Sequence, residues 1–344
     1  MAKIPHILLI YTGGTIGMVK DYNTGALQVF NFDKLLNHIP EINHLNCTIE
    51  SISFDIPIDS SNMNPKNWIA IAEIIETNYK KFDGFVVLHG SDTMSYSASA
   101  ISFLFENLAK PIVFTGSQLP IGDLRTDAKE NLITSIEVAS AQENNRPIVS
   151  EVCLYFEYKL YRANRTTKIN AEHFQAFMSP NYPALCESGV HLKFFKQYLQ
   201  ETPTNKELIV RKELNENIVI LKLFPGINQN TVKSILNIEG IKGVVLETFG
   251  SGNAPSNDWF VNLLKEAIGK GIQIVNVTQC TGGSVIMGHY ETSVELGKIG
   301  VISGYDITTE SALAKLMYLL GQNIPQNEFK SIFEISHRGE LSLN

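Results

Sequence analysis

The chain has 344 residues, 44% hydrophobic and 18% charged, with a formal net charge of -7. That is globular composition with apolar side chains enough for two domains, and its mild acidity argues against a protein built to sit on nucleic acid or on an acidic membrane surface. No apolar run approaches the ~18–20 residues of a membrane span, and the four cysteines, Cys47, Cys153, Cys186 and Cys280, are scattered outside any C-x-x-C spacing, which argues against disulfides or zinc and for a reducing compartment.

In chain order, Ile7–Ile10 reads as a first strand rather than a signal peptide, because the apolar run is short and leads through Tyr11 into Thr12-Gly13-Gly14. Further β-branched runs follow at Phe85–Leu88, Ile112–Phe114, Val152–Phe156, Ile218–Leu223, Val244–Leu246 and Ile272–Val277. Most lack period-2 alternation, as strands buried on both faces do. Helical patterns lie between several of them: Pro65–Tyr79 behind the N-cap candidate Asn64, then Ser95–Leu108, Asp127–Ala141, Asn257–Lys270 and Thr309–Leu320. Strands alternating with helices predict an α/β protein of two domains, with mainly parallel sheets flanked by helices. The polar stretch Gln200–Lys206 places a linker at 197–217, between a larger N-terminal domain (1–196) and a smaller C-terminal one (218–344).

Chemistry-bearing residues gather where strands end. The first strand runs into Thr12-Gly13-Gly14-Thr15-Ile16-Gly17, where glycines let backbone approach a ligand beyond the carboxyl end of a strand. The same residues also fit a tight turn with a structural threonine. The spacing is not G-x-G-x-x-G and no Gly-Lys-Ser/Thr follows, so a nucleotide site is a weak reading. At Leu88-His89-Gly90-Ser91-Asp92-Thr93-Met94 the design repeats, although Asp92 or Thr93 also fits as the N-cap of the next helix. A third case is Thr115-Gly116-Ser117-Gln118. Three polar strand ends at one sheet edge look like a pocket floor.

The two glycine-hydroxyl segments together resemble the signatures of the bacterial-type asparaginase/glutaminase family. Asp59-Ser60-Ser61-Asn62-Met63, Tyr161-Arg162-Ala163-Asn164-Arg165-Thr166-Thr167-Lys168, Gly250-Ser251-Gly252-Asn253-Ala254-Pro255 and Asn276-Val277-Thr278-Gln279-Cys280 are similar to its cytoplasmic type I branch. The resemblance implies an amidohydrolase acting on free L-asparagine, with no cofactor and no metal, assembled as a homo-oligomer, a dimer of dimers. It implies Thr15 as nucleophile, and Lys168 and Asp92 polarising the Ser91 hydroxyl, which handles water and protons. Asp59, Ser60, Ser61, Ser91 and Asp92 would hold the substrate's ammonium and carboxylate. His89 reads as a packing or hydrogen-bonding residue beside Gly90 rather than a base. For Lys168 the bland reading is a solvated surface lysine, but its place after Arg165-Thr166-Thr167 carries the resemblance and favours the functional one.

Three positions depart from the family pattern. Ser91 stands where threonine is usual. Gly25 is followed by Ala26 rather than a tyrosine, which leaves Tyr22 as the nearest phenol to support Thr15. An effector site in some type I members uses an arginine where this chain has Glu247, with Thr167, Thr278 and Cys280 at matching positions. A carboxylate there would repel the carboxylate of an asparagine effector, so activation by asparagine is expected to be lost or much weakened. The rivals are an asparagine-binding sensor, for which Ser91 and Ala26 speak; an amidotransferase component, disfavoured because the first motif begins at Thr12; a serine hydrolase, which lacks G-x-S-x-G; and a metal enzyme, which lacks ligand-spaced histidines.

Overall fold

The computed structural model describes residues 3–20, 27–29, 39–288 and 291–342, and divides into two compact units, Met1–Lys212 and Glu213–Asn344. The first unit carries β1 (His6–Gly13), β2 (Thr48–Ile58), α1 (Pro65–Asn78), β3 (Gly84–Leu88), α2 (Met94–Leu104), β4 (Ile112–Thr115), α3 (Ala128–Ser140), β5 (Val152–Phe156), β6 (Lys159–Arg162), β7 (Cys186–Glu187) and β8 (Lys193–Phe194). They build an eight-stranded sheet in the order β8-β7-β6-β5-β4-β3-β1-β2. From β2 to β5 all neighbours are parallel; β6, β7 and β8 add antiparallel strands at one edge.

The continuous apolar runs are explained by burial on both sides. Ile7, Leu9, Val86, Leu88 and Val113 share one core with Leu132 and Ile136 of α3. The alternate residues Leu8, Ile10, Phe85, Val87 and Phe114 are equally buried on the other face. Helix α1 starts as its sequence predicts: Asn64 Oδ1 accepts the Lys66 N–H at 3.0 Å, and Asn67 Oδ1 accepts the Asn64 N–H at 3.1 Å. Trp68 Nε1 of α1 donates to Ser97 Oγ of α2 at 2.9 Å.

Two elements differ from expectation for a physical reason. Strand β2 has no apolar run, because it is an edge strand with one neighbour and much of its surface exposed, and Pro57 is tolerated there. Helix α2 ends at Leu104, not Leu108. Phe105–Glu106 turns extended and pairs antiparallel with Ile209–Val210, and Asn107 takes a left-handed φ of 59°.

The second unit holds β9 (Ile218–Lys222), α4 (Gln229–Leu236), β10 (Gly243–Thr248), α5 (Asp258–Gly269), β11 (Gln273–Thr278), α6 (Glu291–Lys298), β12 (Ile302–Ser303), α7 (Thr309–Gly321) and α8 (Gln326–Phe333). Its four strands are parallel in the order β9-β10-β11-β12. Leu221, Val244, Leu246 and Ile274 pack with Phe260, Leu263 and Leu264 of α5. The fold is thus a two-domain α/β protein whose larger unit comes first.

Candidate active site

Strands β2, β1 and β3 are adjacent and parallel, so the loops that follow them leave the same sheet edge. Two glycines decide how closely those loops meet. Gly14 has φ 87°, and a Cβ on it would lie 2.5 Å from the Cα and N of Gly90. A Cβ on Gly90 would lie 2.6 Å from Ser60 Oγ. Any side chain at either position would force the loops apart. Because these positions are bare, Thr15, Ser60 and Ser91 converge: Thr15 follows Gly14 and opens a single 3-10 turn, Ser91 follows Gly90, and Ser60 rests on Gly90. Thr12 Oγ1 donates to the Leu88 carbonyl at 2.9 Å and Thr93 Oγ1 to the Ser60 carbonyl at 2.7 Å, tying neighbouring loops. Thr93 is the residue before α2, yet its hydroxyl makes no cap, so the N-cap role open to it in the sequence is not the one it takes.

Beside this convergence, Lys168 Nζ donates to Ser91 Oγ at 2.8 Å and to Asp92 Oδ1 at 2.7 Å. Lys168 gets there because Thr167–Lys168 forms a short strand against Phe177–Met178, which holds its side chain 84% covered rather than in solvent. Ser91 Oγ donates onward to Gln118 Oε1 at 3.1 Å. The carboxylate of Asp92 is 68% exposed and open to a ligand. Asp59 Oδ1 accepts from Ser61 Oγ at 2.5 Å and from Ser61 N at 2.9 Å. Those two bonds hold its carboxyl below the usual carboxylate range, so it stays an anion able to meet an ammonium. The Thr15 side chain is half-buried and its hydroxyl has no hydrogen-bond partner among the described residues.

His89 is fully buried, and burial pushes it down from 6.5 to about 4. Its Nδ1–H donates to the Gly90 carbonyl at 2.7 Å. A neutral ring locked onto its neighbour is a packing group, not a proton carrier at neutral pH. Sequence reading passed over Gln118, Asp127 and Asn131 as individual residues. The Asp127 carboxylate accepts the backbone N–H groups of Gln118 and Leu119, and Asn131 Nδ2 donates to the Gly116 carbonyl at 2.9 Å and to Asp127 Oδ2. The available signal was the third polar strand end at Thr115–Gln118.

The domain models Asparaginase, N-terminal and Glutaminase/Asparaginase C-terminal domain match residues 6–200 and 217–333. The chain belongs to the asparaginase family. It is 42% identical to L-asparaginase 1 of Escherichia coli (strain K12) over 339 residues, 98% of each chain. Its structure superposes on L-asparaginase I from Vibrio cholerae with a TM-score of 0.90 at 42% identity, covering 99% of this chain and 100% of that one. The thermostable L-asparaginase from Thermococcus kodakarensis gives 0.89 at 28% identity, over 98% of this chain and 100% of that one.

Of the remaining positions that the family resemblance singles out, Tyr22 lies outside the described residues. Thr167 belongs to the first unit and is half-buried. In the second unit the Glu247 carboxylate is buried and already engaged: Lys222 Nζ lies 3.1 Å away and Thr309 Oγ1 donates to it at 2.8 Å. Thr278 Oγ1 donates to the Gly250 carbonyl at 2.6 Å and accepts the Cys280 N–H at 3.0 Å, and Cys280 is exposed. Among the described residues of this asparaginase-family chain, no group of three or more His, Cys, Asp or Glu is placed to hold a metal ion, and no helix is long and apolar enough to cross a membrane.

Proposed function

We propose that the chain is an L-asparaginase, which hydrolyses the side-chain amide of free L-asparagine to L-aspartate and ammonia through an acyl-enzyme on Thr15. Thr15 Oγ1 attacks the amide carbon, and backbone N–H groups of the converging loops take up the oxyanion. The proton lost by Thr15 reaches the amide nitrogen, ammonia leaves, and the acyl group remains as a threonine ester. The Ser91–Lys168–Asp92 cluster then handles the water whose addition releases aspartate and restores the hydroxyl. Asp59 and Asp92 meet the substrate ammonium, and Ser60 offers a hydroxyl donor to its carboxylate, while Ser61 and Ser91, whose hydroxyl protons go to Asp59 and Gln118, line the same pocket. This chemistry calls for no metal and no cofactor.

The observation that carries the reading is the bridge from Lys168 to both Ser91 and Asp92, on the loop whose Gly90 packs against the Gly14 that precedes Thr15. It supplies a hydroxyl, a cation and an anion beside a second, open hydroxyl, which amide hydrolysis needs and a passive binding pocket does not. The test is ammonia release from L-asparagine and L-glutamine over a wide concentration range, with wild type beside Thr15→Ala. Asparagine turnover that disappears in Thr15→Ala supports the nucleophile; tight asparagine binding with no ammonia from wild type would make the chain a sensor instead.

An effector carboxylate approaching Glu247 would meet a carboxylate already satisfied by Lys222 and Thr309, so asparagine does not activate this enzyme and its rate curve is hyperbolic. A sigmoidal curve that turns hyperbolic in Cys280→Trp would overturn that. The working state is a cytoplasmic dimer of dimers, checked by light scattering of the purified protein.

A further inference from the structure

The side-chain amide of Gln118 is oriented by its surroundings. Its Nε2 lies 3.1 Å from the carbonyl oxygen of Ala171 and 3.1 Å from that of His173. A carbonyl oxygen only accepts, so both contacts demand the NH2 end of the amide. Flipping the amide would set its oxygen against two carbonyl oxygens. The Oε1 end therefore faces Ser91, where it too can only accept. The backbone of the same residue is pinned from behind: Gln118 N donates to the Asp127 carboxylate at 2.9 Å, and Asn131 braces both Asp127 and the Gly116 carbonyl.

This fixes the proton on Ser91. With Oε1 at 3.1 Å as acceptor, the Ser91 hydroxyl must donate toward Gln118, and its lone pairs are left for Lys168 Nζ at 2.8 Å. An ammonium only donates, so the two neighbours of Ser91 give and take in one direction: Lys168 to Ser91 to Gln118. A serine hydroxyl lacks the γ-methyl that restricts threonine, so its rotor is the freer of the two and gains most from an outside constraint.

We infer that Gln118 is a positioning residue for the proposed amide hydrolysis, holding the Ser91 hydroxyl proton away from Lys168 so that Ser91 Oγ accepts from the lysine in the resting site. The inference rests on the reading of Ser91 and Lys168 as the water- and proton-handling pair. Gln118 acts through Ser91: in the Gln118→Met variant, which keeps the length and removes the amide, the Ser91 hydroxyl loses its acceptor and is held by the Lys168 donor alone. The Ala171 and His173 carbonyls sit near the surface, where water replaces the lost donors, so folding is little affected.

The experiment measures kcat, KM and Tm for wild type, Gln118→Met, Ser91→Ala and the double variant, following ammonia release from L-asparagine for hours so that slow proteins are also measured. The expected result is a kcat in Gln118→Met roughly ten- to a hundredfold below wild type, with KM and Tm nearly unchanged. In the Ser91→Ala background the same substitution has little further effect, because the group it acts through is gone. A raised KM at unchanged kcat, a kcat loss that tracks a fall in Tm, or the same fold-loss with and without Ser91 would each overturn the positioning role. No ammonia from wild type would defeat the amidase reading itself, a separate outcome.

Discussion

Lys168 and Lys315 each hold a carboxylate at hydrogen-bonding distance, Asp92 at 2.7 Å and Glu340 at 2.5 Å, yet the two pairs live in different environments. Lys315 and Glu340 are wholly buried in the second unit. There the ammonium also donates to the Phe333 and Ile335 carbonyls, and the carboxylate also accepts the His337 and Arg338 N–H groups, so every strong partner is protein. That pair clamps the end of α8 and the segment after it onto α7. Lys168 in the first unit is mostly covered, but its partner Asp92 is two-thirds exposed, and its other partner is a hydroxyl. A sealed pair with every lone pair spent has nothing left for a ligand. An open pair sharing its lysine with a hydroxyl keeps unspent capacity where a substrate can reach it. Separation alone does not tell a structural ion pair from a reactive one; burial of the partner does.

Four measurements test the difference between the two lysines and their surroundings. The largest effect is expected in Lys168→Met, with a kcat lower by on the order of 10²- to 10⁴-fold for loss of a proton-handling group and a Tm shift of no more than a few degrees. A stability loss there as large as at Lys315 would erase the distinction. Next, Lys315→Met strands the Glu340 charge in a dry interior and is expected to cost about 3–5 kcal/mol in denaturant unfolding. Lys315→Met combined with Glu340→Leu should recover most of that loss, since no charge is then left buried.

Acid titration separates Glu340 from one further buried group, His89. Burial alone would raise the Glu340 carboxyl, but the Lys315 charge beside it and the His337 and Arg338 N–H groups outweigh that and hold it below the usual range. Its contribution is present above the unfolded carboxyl value of about 4.3 and is lost as pH falls through the lower folded value. His89 works in an earlier window. Its ring is held down at about 4 in the fold, so the unfolded chain binds the extra proton between about pH 6.5 and 4, and stability falls across that interval by about 3 kcal/mol. Replacing it by glutamine, His89→Gln, should flatten that interval in pH-dependent denaturation while leaving the acid loss due to Glu340. An ionisation limb of kcat/KM near pH 6.5 that vanishes in His89→Gln would contradict a purely packing role. The smallest expected effect is on stability in Asp92→Asn: under about 1 kcal/mol, because an exposed carboxylate exchanges its lysine for water at little cost, even though kcat falls.

Much of the fold was legible because burial leaves a trace in composition. Strands β1, β3, β4, β5, β10 and β11 are covered on both faces, so their runs are apolar without alternation. Strand β2 left no such trace, since none of its residues is fully buried. The eight-residue helices α4, α6 and α8 each span about two turns, below the length of about ten to twelve residues by which a helix is told from other short segments. At the site, Thr15, Ser91 and Asp92 were visible as hydroxyls and a carboxylate after glycine at strand ends. Lys168 was not visible from its own surroundings, since an isolated lysine after two threonines reads as solvated. Gln118 gave only a polar letter after a strand.

Local order along the chain therefore determined which segments become strands and helices, that the architecture is α/β, and which loops carry hydroxyls, because hydrophobic period and glycine placement act over a few residues. Tertiary structure decided the rest. It set Gly14 on Gly90 and Ser60 on Gly90, gave the Thr93 hydroxyl to a carbonyl 33 residues away rather than to its own helix, and brought Lys168 across 77 residues to Ser91. It also left one lysine–carboxylate pair open and sealed the other. Those outcomes depend on which strands become neighbours and on what covers each side chain, and both are properties of packing between distant segments that no local pattern encodes.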